Sequence, residues 1–390
     1  MLFFINWGGS RVRVSVLHVY RTYFPDPPGG LQEAIRQICL ATQAVGVDNT
    51  VFTLSPDPIP RVLQRPEGKV VRSRSWGAPA SCDFGGLNAL REFRELSERA
   101  DVVHYHFPWP FADLLHLMSS HSTPSVLTYH SDIVRQRLLR ELYRPLMMRM
   151  LSSTAAVVAT SPTYARTSKV LAVAGMRSRV LAIPLGINEH SYPRRGDDGI
   201  LTKLTLAPCE PFFLFVGVLR YYKGLHFLVQ AAKRVGAKIL IAGSGPEDAA
   251  LGELIETLGV RNVILVGQVS VEEKVGLLQR CRALVLPSHL RSEAFGMVLV
   301  EAAMFGKPMI SCEIGTGTSF VNANGETGFV VAPENPGALT EAMNRLLEDD
   351  ALATRMGLAA RARFERLFSG EALGREYARL YGEVASNRRT

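Results

Sequence analysis

The sequence predicts an α/β protein made of two doubly wound parallel-sheet domains in tandem. Three observations carry that expectation. Short apolar runs rich in β-branched residues alternate with amphipathic stretches, the rhythm of strand and crossover helix. The alternation occurs twice, and a polar segment from Gly186 to Pro211, bearing Pro193, Arg194, Arg195, Asp197 and Asp198, separates the two series. A length of 390 residues, 47% of them hydrophobic and 21% charged, supplies core for two domains and makes a disordered chain a poor description.

In chain order, Met1 to Trp7 is apolar but too short for a signal segment, and the stretch before Arg13 reads as an N-terminal extension. Strands are expected at 13–20, 50–54, 101–106, 124–130, 155–160 and 180–184, with helices near 30–45, 87–99, 135–152 and 162–174. The second series places strands at 212–218, 238–243, 263–269, 282–287, 308–312 and 328–332, with helices near 226–235, 249–257, 271–280, 297–305 and 336–348. Two last helices, 351–367 and 371–386, have no strand after them, so the tail is free to cross back onto the first domain. The resulting division is 1–190, 191–368 and a returning helix at 369–390.

Five scattered cysteines with no C-x-x-C pair signal neither a disulfide framework nor a zinc site, and fit a reducing cytosol. No run approaches the ~20 apolar residues of a membrane span. The net charge of +8 is uneven: through residue 190 there are 21 Lys and Arg against 14 Asp and Glu, so the first half is basic and the rest balanced. A basic surface serves nucleic acid, anionic lipid or a phosphorylated substrate equally well, but no nucleic-acid module is present. Residues 135–150 carry five arginines against one glutamate amid Leu and Met. Such a helix is either an ordinary solvated face or a dock for anionic lipid, and Pro145 should kink or split it.

The most informative segment is Ser288 to Gly306, where a polar loop after an apolar strand feeds a helix starting near Gly296 or Met297. Glu293 on the loop and Glu301 just over one turn into the helix can bracket a ligand's hydroxyls. The unpaired N–H groups of the helix start attract its phosphates. An anion with hydroxyls at both ends describes a sugar nucleotide. A second strand runs through Gly217 into a loop with Arg220 and Lys223, two cations suited to a diphosphate or simply solvated. Gly29 and Gly30 precede the first helix, either to let backbone approach a ligand or to make a tight turn, and they are not the G-x-G-x-x-G fingerprint. His104 and His106 share one strand face, but no third ligand at suitable spacing completes a metal site. No D-x-D sequence is present either. His130, at a strand end beside Ser131 and Asp132, suits a polar role at the ligand or a structural hydrogen bond.

Taken together, the Gly29-Gly30 loop, His130, Gly243 to Glu247, Gly267 to Val269, the Glu293/Glu301 pair around Phe295-Gly296, and Asn324 to Gly328 resemble the family 4 retaining glycosyltransferases of the GT-B fold. The resemblance spans nearly the whole chain. It implies two Rossmann-like domains facing across a cleft, the donor on the second and the acceptor on the first. Glu293 would contact the transferred sugar, Glu301 the ribose, and Phe295, Gly296, Met297 and Val298 the phosphate region. The base would lie near Val269, and Arg220 with Lys223 would neutralise the departing diphosphate. The family commonly has an arginine where Val218 stands. Tyr20 to Pro25, His106 to Phe111 and Tyr129 to Asp132 are similar to bacterial mannosyl- and rhamnosyltransferases of O-polysaccharide assembly. That likeness implies a GDP-hexose donor, a polyprenyl-diphosphate-linked saccharide acceptor and a peripheral place on the cytoplasmic face of the inner membrane; with no D-x-D sequence, no cofactor or metal is expected. A UDP-sugar-dependent transferase, a GT-B epimerase and a non-catalytic subunit are the alternatives. The intact set of Glu293, Glu301, Lys223 and His130 speaks against the last.

Overall fold

The computed structural model describes residues 14–26, 29–78, 83–118, 123–132, 137–173, 177–207 and 209–386, without the side chains of 137–140 and 177. The N-terminal extension and the start of the basic 135–150 stretch lie outside the described residues. Nine strands form the first sheet: β1 (Ser15–Val19), β2 (Asp48–Ser55), β3 (Val62–Arg65), β4 (Gly68–Gly77), β5 (Phe84–Gly85), β6 (Val102–Phe107), β7 (Ser125–Tyr129), β8 (Ala156–Ala159) and β9 (Val180–Ala182). Their order is β3-β4-β2-β1-β6-β7-β8-β9, with β5 on β4. Between them run α1 (Gly30–Gln43), α2 (Leu87–Arg99), α3 (Pro110–Met118), α4 (Arg137–Ser153) and α5 (Pro162–Thr167). Pro145 sits inside α4, which continues as one helix rather than two.

The antiparallel β3–β4 hairpin and β5 were not anticipated. Their alternation is of Val with Arg, Lys and Ser, which reads as polar until Arg72 is seen to be 4% exposed. Its guanidinium donates to Ser55 Oγ at 2.8 Å, Asp26 Oδ1 at 3.2 Å and the Asp57 carbonyl at 2.6 Å. The Asp26 carboxylate and these acceptors offset the burial of the charge, although Nε has no hydrogen-bond partner among the described residues.

After α6 (Gly199–Lys203), the second sheet comprises β10 (Phe212–Val216), β11 (Lys238–Ala242), β12 (Val263–Gly267), β13 (Ala283–Leu286), β14 (Met309–Cys312) and β15 (Gly328–Val331). All its pairings are parallel, in the order β12-β11-β10-β13-β14-β15. The strands are apolar apart from Lys238 and Ser311, as suits a sheet covered by helices: α7 (Leu225–Ala231), α8 (Asp248–Leu258), α9 (Val271–Arg280), α10 (Met297–Met304), α11 (Thr318–Val321), α12 (Pro336–Glu348) and α13 (Asp350–Leu367). The order reverses between β10 and β13. Ligands bind outside the carboxyl ends of strands at such a switch point.

The chain closes with α14 (Gly370–Ser386). The described residues group into two compact units. One runs to Thr128, takes in Tyr143–Val157 and ends with the segment from Gly374 onward; the other comprises Tyr129–Leu142 and Val158–Leu373. The returning tail expected from the sequence thus joins the first unit. The Gly186 to Pro211 segment is pinned to the second: Glu189 accepts two bonds from Arg361 at 2.7 and 2.9 Å, and the Gly196 N–H donates to Gln279 on α9 at 3.1 Å. Among the described residues no helix is long and apolar enough to cross a membrane.

Candidate active site

The loops that leave β10 and β13 meet at a glycine. Gly224 has φ +67°, and a Cβ there would lie 2.2 Å from the Pro287 carbonyl oxygen, so only glycine lets the loops approach this closely. The His289 N–H donates to the Tyr222 carbonyl at 3.0 Å and fastens them. Lys223 is thereby delivered to Glu293. Its Nζ donates to Glu293 Oε2, which also accepts from Ser288 Oγ at 3.3 Å. The two side chains are 12% and 11% exposed. Burial opposes the ammonium charge, but the carboxylate outweighs it and the Lys223 pKa is raised. Glu293 Oε1 has no partner among the described residues, so one oxygen is anchored and the other is available.

The glutamate loop is held from behind. Thr316 Oγ1 donates to the Glu293 carbonyl and the Gly317 N–H to the Ala294 carbonyl, both at 2.8 Å. Phe295 is buried against Phe368, and Gly296 caps α10 at φ +83°. Met297 and Val298 open the helix as expected, where backbone N–H groups lack intrahelical acceptors. Gly217, at φ +151°, follows β10, and a Cβ there would come within 3.9 Å of Lys223 Nζ. Val269 is half-buried between the end of β12 and the capping box that starts α9. Arg220 is exposed, three residues before Lys223, and its charge acts on that ammonium.

Glu301, on α10, is 8% exposed. Its Oε1 accepts from Tyr192 Oη at 2.6 Å and from Lys274 Nζ at 2.8 Å. Neither partner was singled out from the sequence: Tyr192 sits in the segment read as linker, and Lys274 in the helix expected near 271–280. Arg291 was missed too: it pairs with Asp132 at 3.2 Å, so the glutamate loop holds the residue two beyond His130. His130 belongs to the same compact unit as Glu293 and is 6% exposed. Burial drives its pKa down to about 3, so the ring is neutral at physiological pH.

Gly29 and Gly30 lie in the first unit, at the exposed start of α1. Neither has positive φ, and nothing lies within 4 Å of a Cβ built on Gly30, so a left-handed turn is not their reason. The expectation that no third ligand joins His104 and His106 is corrected. His18 on β1 pairs in register with His104 on β6, and one ligand atom from each of the three lies within 4.8 Å of the others. Spacing along the chain does not reveal a neighbour on another strand. The imidazoles are already engaged: His18 Nδ1 with His106 Nε2 and His18 Nε2 with Asn49 Oδ1, each at 3.1 Å, and His104 with Tyr381 Oη and Thr128 Oγ1, each at 2.7 Å.

Comparison with known proteins decides the family. Residues 29–186 match the family described as glycosyl transferase 4-like domain, and residues 200–363 match glycosyl transferases group 1. The chain is 48% identical to D-rhamnosyltransferase WbpZ of Pseudomonas aeruginosa, over 91% of this chain and 92% of that protein. The chain is a family 4 glycosyltransferase. This glycosyltransferase is also 40% identical to O-antigen chain mannosyltransferase C of Escherichia coli, over 94% of its own length and 97% of that relative. Its fold is GT-B. It superposes on sucrose-phosphate synthase from Thermosynechococcus elongatus with a TM-score of 0.78 at 23% identity, covering 96% of this chain and all of that one. HepE from Anabaena, solved with UDP and glucose, gives 0.77 at 18% identity over 95% of this chain and all of that one.

Proposed function

We propose that this glycosyltransferase is a retaining, metal-independent hexosyltransferase of lipopolysaccharide O-polysaccharide assembly. It moves mannose or D-rhamnose from a GDP-sugar to a polyprenyl-diphosphate-linked saccharide. The rhamnosyltransferase and the O-antigen mannosyltransferase at 48% and 40% identity support the pathway and the hexose. The observation that carries the chemistry is the Lys223–Glu293 pair beside the start of α10.

On this reading the free Glu293 oxygen accepts hydroxyls of the donor sugar, and Glu301 takes the ribose, with the base near Val269. Lys223, Arg220 and the N–H groups of Gly296 to Val298 meet the diphosphate, fixed charges and dipoles that stabilise the leaving group without a metal. The bond from the anomeric carbon to the diphosphate oxygen breaks as the acceptor oxygen attacks the same face, and the departing diphosphate takes the acceptor's proton. A neutral His130 supports the positive sugar without adding charge against it. The basic first half carries the lipid-linked acceptor at the cytoplasmic membrane surface.

The test is product formation from GDP-mannose, GDP-D-rhamnose and UDP-glucose with a synthetic polyprenyl-diphosphate-linked saccharide, with and without EDTA. Transfer from a GDP-hexose with the anomeric configuration kept and no loss in EDTA is expected. Transfer from UDP-glucose alone, inversion at the anomeric carbon, or abolition by chelation would each overturn the corresponding part.

A further inference from the structure

Both donors to Glu301 end on the same atom. Tyr192 Oη at 2.6 Å and Lys274 Nζ at 2.8 Å converge on Oε1, whereas Oε2 has no partner among the described residues and is not a fully enclosed atom. We propose that Tyr192 and Lys274 are positioning residues that clamp Glu301 by one oxygen, so that the other is presented to the two neighbouring hydroxyls of the donor's ribose. This rests on the reading of Glu301 as the ribose-binding group.

The clamp is built from three separate elements. The Glu301 carboxylate projects from α10, which Gly296 starts. Lys274 stands on the first turn of α9, where the reciprocal bonds of Ser270 and Glu273 fix the helix start. Tyr192 follows a short 3-10 turn that Asn188 caps. That segment is in turn tied to α13 through Glu189 and Arg361. The Lys274 ammonium also lies over the Tyr192 ring, 5.0 Å from its centre, so the ring restrains the lysine as well as the carboxylate. Lys274 and Glu301 side chains are 19% and 11% exposed, buried enough for the geometry to be held. A carboxylate so fixed loses little rotamer freedom when a ligand arrives. A free one would have to be ordered by the ligand itself.

The ribose diol is the part of the nucleotide assigned to Glu301, and this gives a specific test. Calorimetric Kd values are measured for GDP and for its 2′,3′-dideoxy analogue with wild type, Tyr192→Phe, Lys274→Met and Lys274→Arg, and each variant's thermal midpoint is recorded. The wild type should prefer GDP. Tyr192→Phe and Lys274→Met should each weaken GDP about tenfold, the effect of one lost hydrogen bond to a charged group, and leave the dideoxy analogue unchanged. Lys274→Arg should recover most of the loss. In turnover the damage should fall on the donor KM and not on the acceptor KM.

Equal weakening of both nucleotides would show that the two residues merely support the fold, and would overturn the proposal. So would variants that discriminate between the nucleotides as the wild type does. A wild type that binds GDP and its dideoxy analogue equally well would overturn the ribose reading of Glu301 itself, a different result.

Discussion

Lys223→Met is the most informative single change, because it removes the ammonium, which also lies over the Tyr222 ring, while keeping an unbranched apolar side chain of similar length. It strands Glu293, whose side chain is 11% exposed, with only the Ser288 hydroxyl at 3.3 Å. Breaking a fully buried pair from one side costs about 3–5 kcal/mol. Here a tenth of each side chain reaches solvent, which brings the expected loss to about 1–3 kcal/mol, or a few degrees in melting temperature. Turnover should fall further, by about 10²–10³-fold in kcat, the scale for removing a group aimed at developing charge. Glu293→Gln should behave alike in both respects. The double variant separates the two effects. With neither charge present the desolvation penalty vanishes, so its melting temperature should return toward wild type while its transfer rate remains low. Denaturation monitored by circular dichroism and chromatographic assay of the transferred hexose give the two readouts. Wild-type turnover in either single variant, or recovery of turnover in the double, would refute the site.

Three other outcomes follow from the geometry. Arg220→Ala should lower transfer about tenfold without moving the melting temperature, since the side chain is exposed and its role is in meeting the diphosphate; calorimetry and initial rates would show it. Gly224→Ala should cost at least about 1 kcal/mol for the left-handed backbone alone, plus the displacement of Pro287, and should impair turnover with stability in a urea titration. His18 has its pKa lowered by burial from 6.5 to about 4. The unfolded chain therefore binds the proton first as pH falls, and stability present above pH 6.5 drains away down to pH 4, by about 3 kcal/mol in all. Urea unfolding of wild type and His18→Gln at pH 7.5 and 4.5 should show a shallower pH dependence in the variant.

Much of this was legible because the second half obeys local rules. Strands of continuous apolar residues, the Ser270–Glu273 cap and the Gly296 start of α10 are each written within a few neighbouring positions. The Glu293/Glu301 spacing likewise places one carboxylate on the loop and the other inside α10, as the structure has them. What stayed hidden depends on partners far along the chain. Tyr192 and Lys274 reach Glu301 across 109 and 27 positions. Arg291 reaches Asp132 across 159. His18 completes a histidine cluster only because β1 and β6 are adjacent strands. The β3–β4 hairpin was obscured for another reason: its buried arginine makes a covered strand look solvated. Arg220 and Lys223 were correctly placed on one loop, but which of the two pairs with Glu293, 70 positions away, depends on how the loops after β10 and β13 meet.

The last helix carries a consequence for the order in which the protein matures. His104 and Thr128, wholly enclosed in the first sheet, find hydrogen-bond partners in Tyr381 and Tyr377, and Gly374 lies against the backbone of Ala41. A ribosome delivers those tyrosines some 250 residues after Thr128. Until they emerge, the tyrosine hydroxyls that complete these hydrogen bonds are missing, and the face that α14 covers stays open to water. The first unit is therefore completed by a segment made well after its sheet, and a chain cut before residue 377 would lack both tyrosine partners.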